Sequence, residues 1–138
     1  MPDPFMERLA GLTEEGVLLI GRLQEEIVHP WSEEVAGNLD VVITGRQRLH
    51  FLERHPGTRR LEALLAHTVL DPDEVHRNRS DPDIAIFFRR VDEQHFTRAA
   101  VRMQQDVSDK KHSVLSFRLA YARDVIRWRE RSVWRKGE

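Results

Sequence analysis

Four short strand-like segments follow one another after residue 74, and they constrain the fold more than any other feature of this chain. They span residues 75–79, 84–90, 95–103 and 112–119. The second, IAIFFRR, is continuously apolar, whereas the third and fourth alternate apolar and polar side chains with the period of a β-strand. Turn-forming residues such as SDPD separate them. These short connections predict an antiparallel meander with one face on a core.

Helical sequence precedes the meander and follows it. Residues 45–55 have apolar side chains at helical spacing, with Thr44 as a plausible N-cap and Pro56 directly after the last turn. A second helical pattern covers residues 58–70, and a third covers 121–134. This order predicts the α+β class, with N-terminal helices packed on a roughly four-stranded antiparallel sheet and a C-terminal helix.

The length of the chain fits one domain. A chain of 138 residues can bury a modest core, so we expect a single domain over residues 1–138. Two shorter apolar runs, 15–23 and 40–44, favour brief strands near its beginning. We expect a core at about 40–119, an acidic N-terminal extension over 1–39 and a C-terminal helix within 120–138.

Charge is distributed unevenly along the chain. Residues 1–74 carry 7 Lys and Arg and 14 Asp and Glu, whereas residues 75–138 carry 15 and 9, which together give the net charge of −1. A basic half suggests a polyanionic partner such as nucleic acid, although a general bias towards arginine would give the same count. The acidic half could shield the basic half, bind a basic partner or simply favour solubility.

Missing residue types and motifs exclude several function classes. The chain has no cysteine, which excludes disulfides, thiol nucleophiles and cysteine-bound metal clusters. It also lacks metal-binding, glycine-rich phosphate-binding and serine-nucleophile motifs, so we expect neither metal nor cofactor. No apolar run approaches the roughly 20 residues of a membrane span, and the acidic N-terminus lacks a signal-peptide core. We therefore expect a cytoplasmic protein without a membrane partner.

Histidine, arginine and hydroxyl side chains remain, and they suffice for cleavage of RNA by its own 2′-hydroxyl. Histidine titrates near neutral pH and can act as the base or the acid of this reaction. Arginine can stabilise the charge that gathers on the phosphate oxygens, and a hydroxyl can add a hydrogen bond. The reaction requires no metal and no cysteine.

Several motifs occur in an order that points to a known family. They are LHFLERHPG at 49–57, VLDPDEVHRNRSDPDIAIFFRR at 69–90, SVLSFRLA at 113–120 and the ending WRKGE. As a set they resemble the phage-associated branch of the barnase/EndoU/colicin/RelE-like (BECR) nuclease family, over about 40–119 and the last residues. The resemblance implies two helices packed on a four-stranded antiparallel sheet. It also implies a metal-independent endoribonuclease site on the open face of that sheet.

The resemblance further implies which residues act. His50 and His55 match the helix histidines of the family, Arg77 and Arg79 match its strand arginines, and Ser116 matches its late hydroxyl. Except for His50, these side chains are expected within roughly 10 Å of one another, because each must reach one phosphate. Further arginines expected to bind substrate are Arg98, Arg102 and Arg118; many relatives carry tyrosine at the position of the last.

Two functions stay open at this point. The first is a metal-independent endoribonuclease, as a toxin or phage-related effector, with RNA as substrate and an antitoxin or other protein as a possible partner. The second is a catalytically inactive module of the same fold that binds nucleic acid or protein. His76, on the other side of its strand from Arg77 and Arg79, is expected to be a packing residue.

Overall fold

A computed structural model describes residues 3–31, 39–104 and 111–138. Seven strands of these residues form one sheet in the order β1-β2-β6-β5-β4-β3-β7. The strands are β1 Val17–Arg22, β2 Asp40–Thr44, β3 Glu74–Arg77, β4 Ile84–Arg90, β5 His95–Arg102, β6 His112–Tyr121 and β7 Ser132–Arg135. Neighbouring strands are antiparallel except β2 and β6, which pair in parallel at Val41–His112 and Val42–Ser113.

Helices lie on both faces of this sheet. The α-helices are α1 Pro4–Ala10, α2 Glu25–Val28, α3 Gly45–Arg54, α4 Leu65–Leu70 and α5 Ala122–Arg127, and two 3-10 helices span Pro56–Leu64 and Arg129–Arg131. The side chains of α1 to α4 join one core with Phe87 and Phe117 of the sheet. On the opposite face, α5 packs a smaller core against Phe88 and Phe96. No helix of the described residues has the length and apolar character needed to cross a membrane.

The expected four-stranded antiparallel sheet under N-terminal helices is therefore wrong. The four strand-like segments do form β3 to β6, but β1, β2 and β7 extend the sheet to seven strands, and one pair is parallel. Residues 132–135 were expected to be helical, yet they pair with the free edge of β3. Backbone pairing with that edge satisfies their polar groups, and this tertiary contact overrides a weak helical pattern. The helices are dispersed along the chain, and α5 covers the second face.

The beginning of α3 is fixed by a cap and by a close backbone contact. Thr44 accepts a hydrogen bond from the Gln47 amide at 3.1 Å, which confirms the predicted N-cap. The next residue, Gly45, donates its amide to the Gly16 carbonyl at 3.0 Å. A Cβ atom at Gly45 would lie 1.8 Å from the Thr13 carbonyl oxygen. Glycine at this position therefore lets the turn after α1 lie directly against the start of α3.

Replacing Gly45 with alanine is expected to destabilise the fold by about 1–3 kcal/mol, the usual range for overpacking, because backbone must move to admit the methyl group. The measurement is the urea midpoint of unfolding. Gly57→Ala is the matched control, since a Cβ atom there would meet nothing within 4 Å. Equal midpoints for the two variants would contradict the close contact at Gly45.

Candidate anion-binding site

Two arginines lie side by side on the face of the sheet that α5 partly covers. The strand register places Arg98 of β5 directly opposite Arg118 of β6, and Phe88 of β4 on the other side of Arg98. Both arginines are half-buried. Burial, and next the positive charge of Arg118, lower the pKa of Arg98 to about 10. The sheet therefore holds two like charges in a partly desolvated position.

Neither of these guanidinium groups has a carboxylate partner in the described part of the chain. By contrast, Arg102 lies 3.4 Å from Asp81, and Arg89 lies 2.9 Å from Asp71. Buried charges in proteins are usually paired, because an unpaired charge loses hydration without compensation. Arg98 and Arg118 are thus half-buried cations, and no carboxylate of the described residues neutralises them.

A small cavity lies over this pair, and we call it the arginine cavity. Its volume is about 140 Å³, roughly the space of four to five water molecules in the liquid. Its polar wall includes His76, Arg79, Arg98, Arg118 and Arg131. Phe88 and Trp128 form its apolar wall, and the Arg131 guanidinium lies 5.6 Å from the Trp128 ring centroid. The space and charge fit a group as small as phosphate.

One histidine of this cavity is held by a carboxylate. His76 Nε2 lies 2.7 Å from Glu74 Oε1, and its ring meets Phe88 edge-on at 4.7 Å between centroids. Arg129 Nη2 donates to Glu74 Oε2 at 3.1 Å. Burial raises the pKa of Glu74, but hydrogen bonds from His76 and Arg129 bring it below its ordinary value. An ionised carboxylate can only accept hydrogen bonds, so Nε2–H of His76 donates to Glu74, and Nδ1 is the ring nitrogen outside this bond.

His76 is buried and packs edge-on against Phe88, as predicted, and it also lines the arginine cavity. The register pairs His76 with Ile86 and Glu74 with Phe88, and both partners belong to the core beside α5. The predicted alternation within β3 is present, but His76, and not Arg77, lies on the face of the sheet that carries Arg98 and Arg118. The pair Glu74 and His76, two residues apart on a strand, was a signal for a carboxylate-held imidazole on one face.

The predicted arginines of β3 differ from each other. Arg79 follows the end of β3 and lines the arginine cavity. Arg77 borders the same cavity, but its guanidinium lies 4.7 Å from the Trp31 ring centroid. It also donates to the Pro82 and Pro30 carbonyl oxygens at 3.2 and 3.3 Å. The Arg77 side chain is therefore engaged with backbone and Trp31.

A second cavity shares Arg118 with the first, and we call it the histidine cavity. Its volume is about 380 Å³, and its wall includes Arg54, His55, Arg60 and Arg118. His55 caps the C-terminal end of α3 and is exposed. Arg118 lines both cavities, so it shares one cavity wall with His55 and the other with Arg98.

The other predicted residues lie outside these two cavities. His50 is exposed on α3, and Ser116 is half-buried opposite Ala100 in the sheet. Arg102 is taken up by its ion pair with Asp81. Of the eight residues singled out in the sequence, His55, Arg77, Arg79, Arg98 and Arg118 line one or both cavities.

Within residues 3–31, 39–104 and 111–138, no group of three histidine, aspartate or glutamate side chains could hold a metal ion. No protein-family model, curated protein or solved structure matches this chain.

Proposed function

We propose that the arginine cavity binds a phosphate of RNA and that the protein is a metal-independent endoribonuclease of the cytoplasm. The observation that carries this proposal is the half-buried pair of Arg98 and Arg118, which has no carboxylate partner among the described residues. The motif resemblance to the BECR nuclease family supports the same proposal. A toxin or phage-related effector is the biological class that this resemblance favours.

An anion between the two arginines explains why the fold keeps them together. Two like charges in a partly desolvated position destabilise the free protein. A phosphate provides several acceptor oxygens, and charge-assisted hydrogen bonds to them are about twice as strong as neutral ones. Arginine's planar fork suits two oxygens of one phosphate better than a lysine ammonium does. Binding of phosphate thereby offsets the repulsion between the two arginines.

The histidines supply the proton transfers that RNA cleavage requires. One imidazole removes the proton of the 2′-hydroxyl, and O2′ then forms a bond to phosphorus. The bond between phosphorus and O5′ breaks, and a second imidazole gives its proton to O5′. His76 and His55 are the proposed pair, since each lines a cavity to which Arg118 also belongs. The arginines would stabilise the charge on the pentacoordinate phosphate, and the product carries a 2′,3′-cyclic phosphate.

A second candidate function is binding without cleavage. It is favoured by the burial of His76, whose side chain is 3% exposed, and by the positions of His50 and Ser116 outside both cavities. In this case the arginine cavity would hold a phosphate of a nucleic acid or an acidic group of a protein. An antitoxin that covers the basic surface is one such protein partner.

Replacing Arg98 with glutamine is expected to weaken binding of RNA about tenfold and to reduce the salt dependence of binding by about one counterion. The same variant is expected to melt at the same or a higher temperature, because it removes a half-buried charge beside Arg118. Binding is measured by fluorescence anisotropy with labelled 2′-O-methyl RNA, which lacks the nucleophile and stays intact.

Arg46→Gln is the matched control for this prediction. Arg46 is an exposed arginine whose ion pair with Glu15 leaves both side chains more than 70% exposed. Its loss is expected to change neither affinity nor melting temperature. If Arg98→Gln is strongly destabilised while its affinity for RNA is unchanged, Arg98 stabilises the sheet and does not bind phosphate. That result would contradict the proposal.

A further inference from the structure

We infer that the edge strand β1 pairs in antiparallel orientation with β1 of a second copy of this chain, so that the protein forms a symmetric dimer. This assembly is separate from the proposed function, because none of the residues that form it lines the arginine cavity or the histidine cavity. Three features support it: the free backbone edge of β1, the apolar side chains exposed there, and the charges at the two ends of the strand.

The backbone of β1 is open along one side. β1 is the first strand of the sheet, and only β2 pairs with it among the described residues. The Gly16 carbonyl accepts a hydrogen bond from the first residue of α3, and this bond continues the register between β1 and β2. Hydrogen-bonded and non-bonded pairs alternate along an antiparallel ladder, so Leu18 is also bonded to β2. Val17 and Leu19 therefore direct their amide and carbonyl groups away from β2.

The side chains of the same two residues are exposed. Val17 is 64% exposed and Leu19 is 45% exposed, on the face of the strand opposite Leu18, which packs on the main core. The stretch from Val17 to Ile20 contains no charged residue and no proline, which are common means of protecting an edge strand. An apolar edge with free backbone groups is a template for pairing with another strand.

One antiparallel register uses the free backbone groups of both residues. A twofold axis at Leu18 places Val17 of one copy opposite Leu19 of the other, and symmetry repeats the pair. Each pair can exchange two backbone hydrogen bonds, and the side chains of Val17 and Leu19 then meet across the two strands. The exposed apolar surface of each copy is thereby covered by the same surface of the other.

The neighbouring registers leave free groups without a partner. An axis at Leu19 would place Val17 opposite Gly21, beyond the β-bulge of β1. The Leu23 amide donates to the residue before β2, so the alternation of bonded pairs makes Gly21 a residue bonded to β2. An axis at Val17 would place Leu19 opposite the turn that precedes the strand. The register centred on Leu18 is therefore the expected one.

Opposite charges meet at both ends of the segment in this register. Glu14 lies in the turn before β1 and Arg22 ends the strand; both are exposed, and neither has an ion pair within the described residues. Pairing centred on Leu18 brings Glu14 of each copy beside Arg22 of the other. This complementarity favours a second copy of the chain as the occupant of the edge, since both ends are satisfied at once.

The first test alters the apolar edge. Sedimentation velocity over a wide range of protein concentration is expected to show the wild-type mass rising from 16.2 kDa towards twice that value. Leu19→Lys is expected to raise the dissociation constant of the dimer about tenfold, because it replaces two apolar cross-strand pairs and puts lysine on the edge. Leu49→Lys is the matched control, since Leu49 of α3 is also 45% exposed. Melting temperatures of both variants establish that they are folded.

The second test exchanges the charges. Glu14→Arg and Arg22→Glu are each expected to raise the dissociation constant about tenfold, because each places like charges together at both ends of the paired segment. An equal mixture of these two single variants is expected to form a heterodimer, in which the charges at both ends are opposite again. The double variant is expected to dimerise like the wild type. Glu53→Arg, at an exposed glutamate of α3, is the control and is expected to have no effect.

Three results would overturn the inference. The first is a wild-type protein that remains monomeric at every concentration. The second is a dimer that Leu19→Lys does not weaken, because another surface would then join the two copies. The third is a failure of the two single charge variants to associate with each other, which would contradict the register centred on Leu18.

Discussion

Replacing Arg48 with methionine is expected to lower the free energy of unfolding by about 3–5 kcal/mol, the range for breaking a buried ion pair by removing one partner. Arg48 binds Glu62 through two hydrogen bonds, at 2.6 Å from Nε and 2.9 Å from Nη2. The Glu62 side chain is 2% exposed, so its carboxylate would remain buried without a cation. The hydrogen bond to Glu62 raises the pKa of Arg48, in keeping with a strong pair. Chemical denaturation followed by circular dichroism measures the change.

Two further variants test the physical reason for this expectation. The double variant Arg48→Met with Glu62→Leu is expected to recover most of the lost stability, because well-packed apolar residues often replace a buried pair without loss. Arg46→Met, which breaks the exposed pair with Glu15, is expected to change stability by less than about 1 kcal/mol. If the double variant is as unstable as Arg48→Met alone, the loss of stability comes from altered packing and not from the unpaired carboxylate of Glu62.

Replacing His76 with glutamine is expected to lower the rate of RNA cleavage roughly 10²–10⁴-fold, the usual contribution of one proton-transfer group. Cleavage is followed on labelled RNA in excess chelator, and the 2′,3′-cyclic phosphate end identifies attack by the 2′-hydroxyl. His55→Gln is expected to lower the rate by a similar factor. DNA, which lacks the 2′-hydroxyl, is expected to remain intact.

The control for this prediction is His29→Gln, since His29 is exposed and lies outside both cavities. Melting temperatures of all variants accompany the rates, because His76 is buried and bound to Glu74. Cleavage that depends on Mg²⁺, or that persists in folded His76→Gln, would reject the mechanism. Tight binding of RNA without any cleavage would favour the binding module instead.

The sequence predicted the central strands of the sheet and the short strands β1 and β2, but not that all of them share one sheet, and it did not predict β7. Residues in β4, β5 and β6 have the composition and period of strands, and adjacent turns limit how they can pair. The parallel pairing of β2 with β6 depends on two residue pairs far apart in the chain, which no local pattern encodes. The strand β7 contains valine and tryptophan at positions that suit a helix equally well.

The candidate site was predicted in part, and the missing part has a physical cause. An exposed strand face is recognised by its polar residues, but Glu74, Val75 and His76 of β3 are all buried. With both faces covered, alternation within β3 cannot show which face carries the site. Arg77 was assigned to the site from the family resemblance, although its guanidinium contacts Trp31 and donates to two backbone carbonyls. Arg118, which was predicted to bind substrate, lines both cavities.

The pairing of β2 with β6 has a consequence for how the protein is made. Val41 and His112 are 71 positions apart, so β1 and β2 cannot join the rest of the sheet until β6 has been synthesised. Contacts between distant segments slow folding, because a long loop must be closed before they form. During this interval the apolar edge of β2 is unpaired, and an unpaired edge can associate with other chains. Slower translation after residue 44 should therefore lengthen the period in which the nascent chain needs protection by a chaperone.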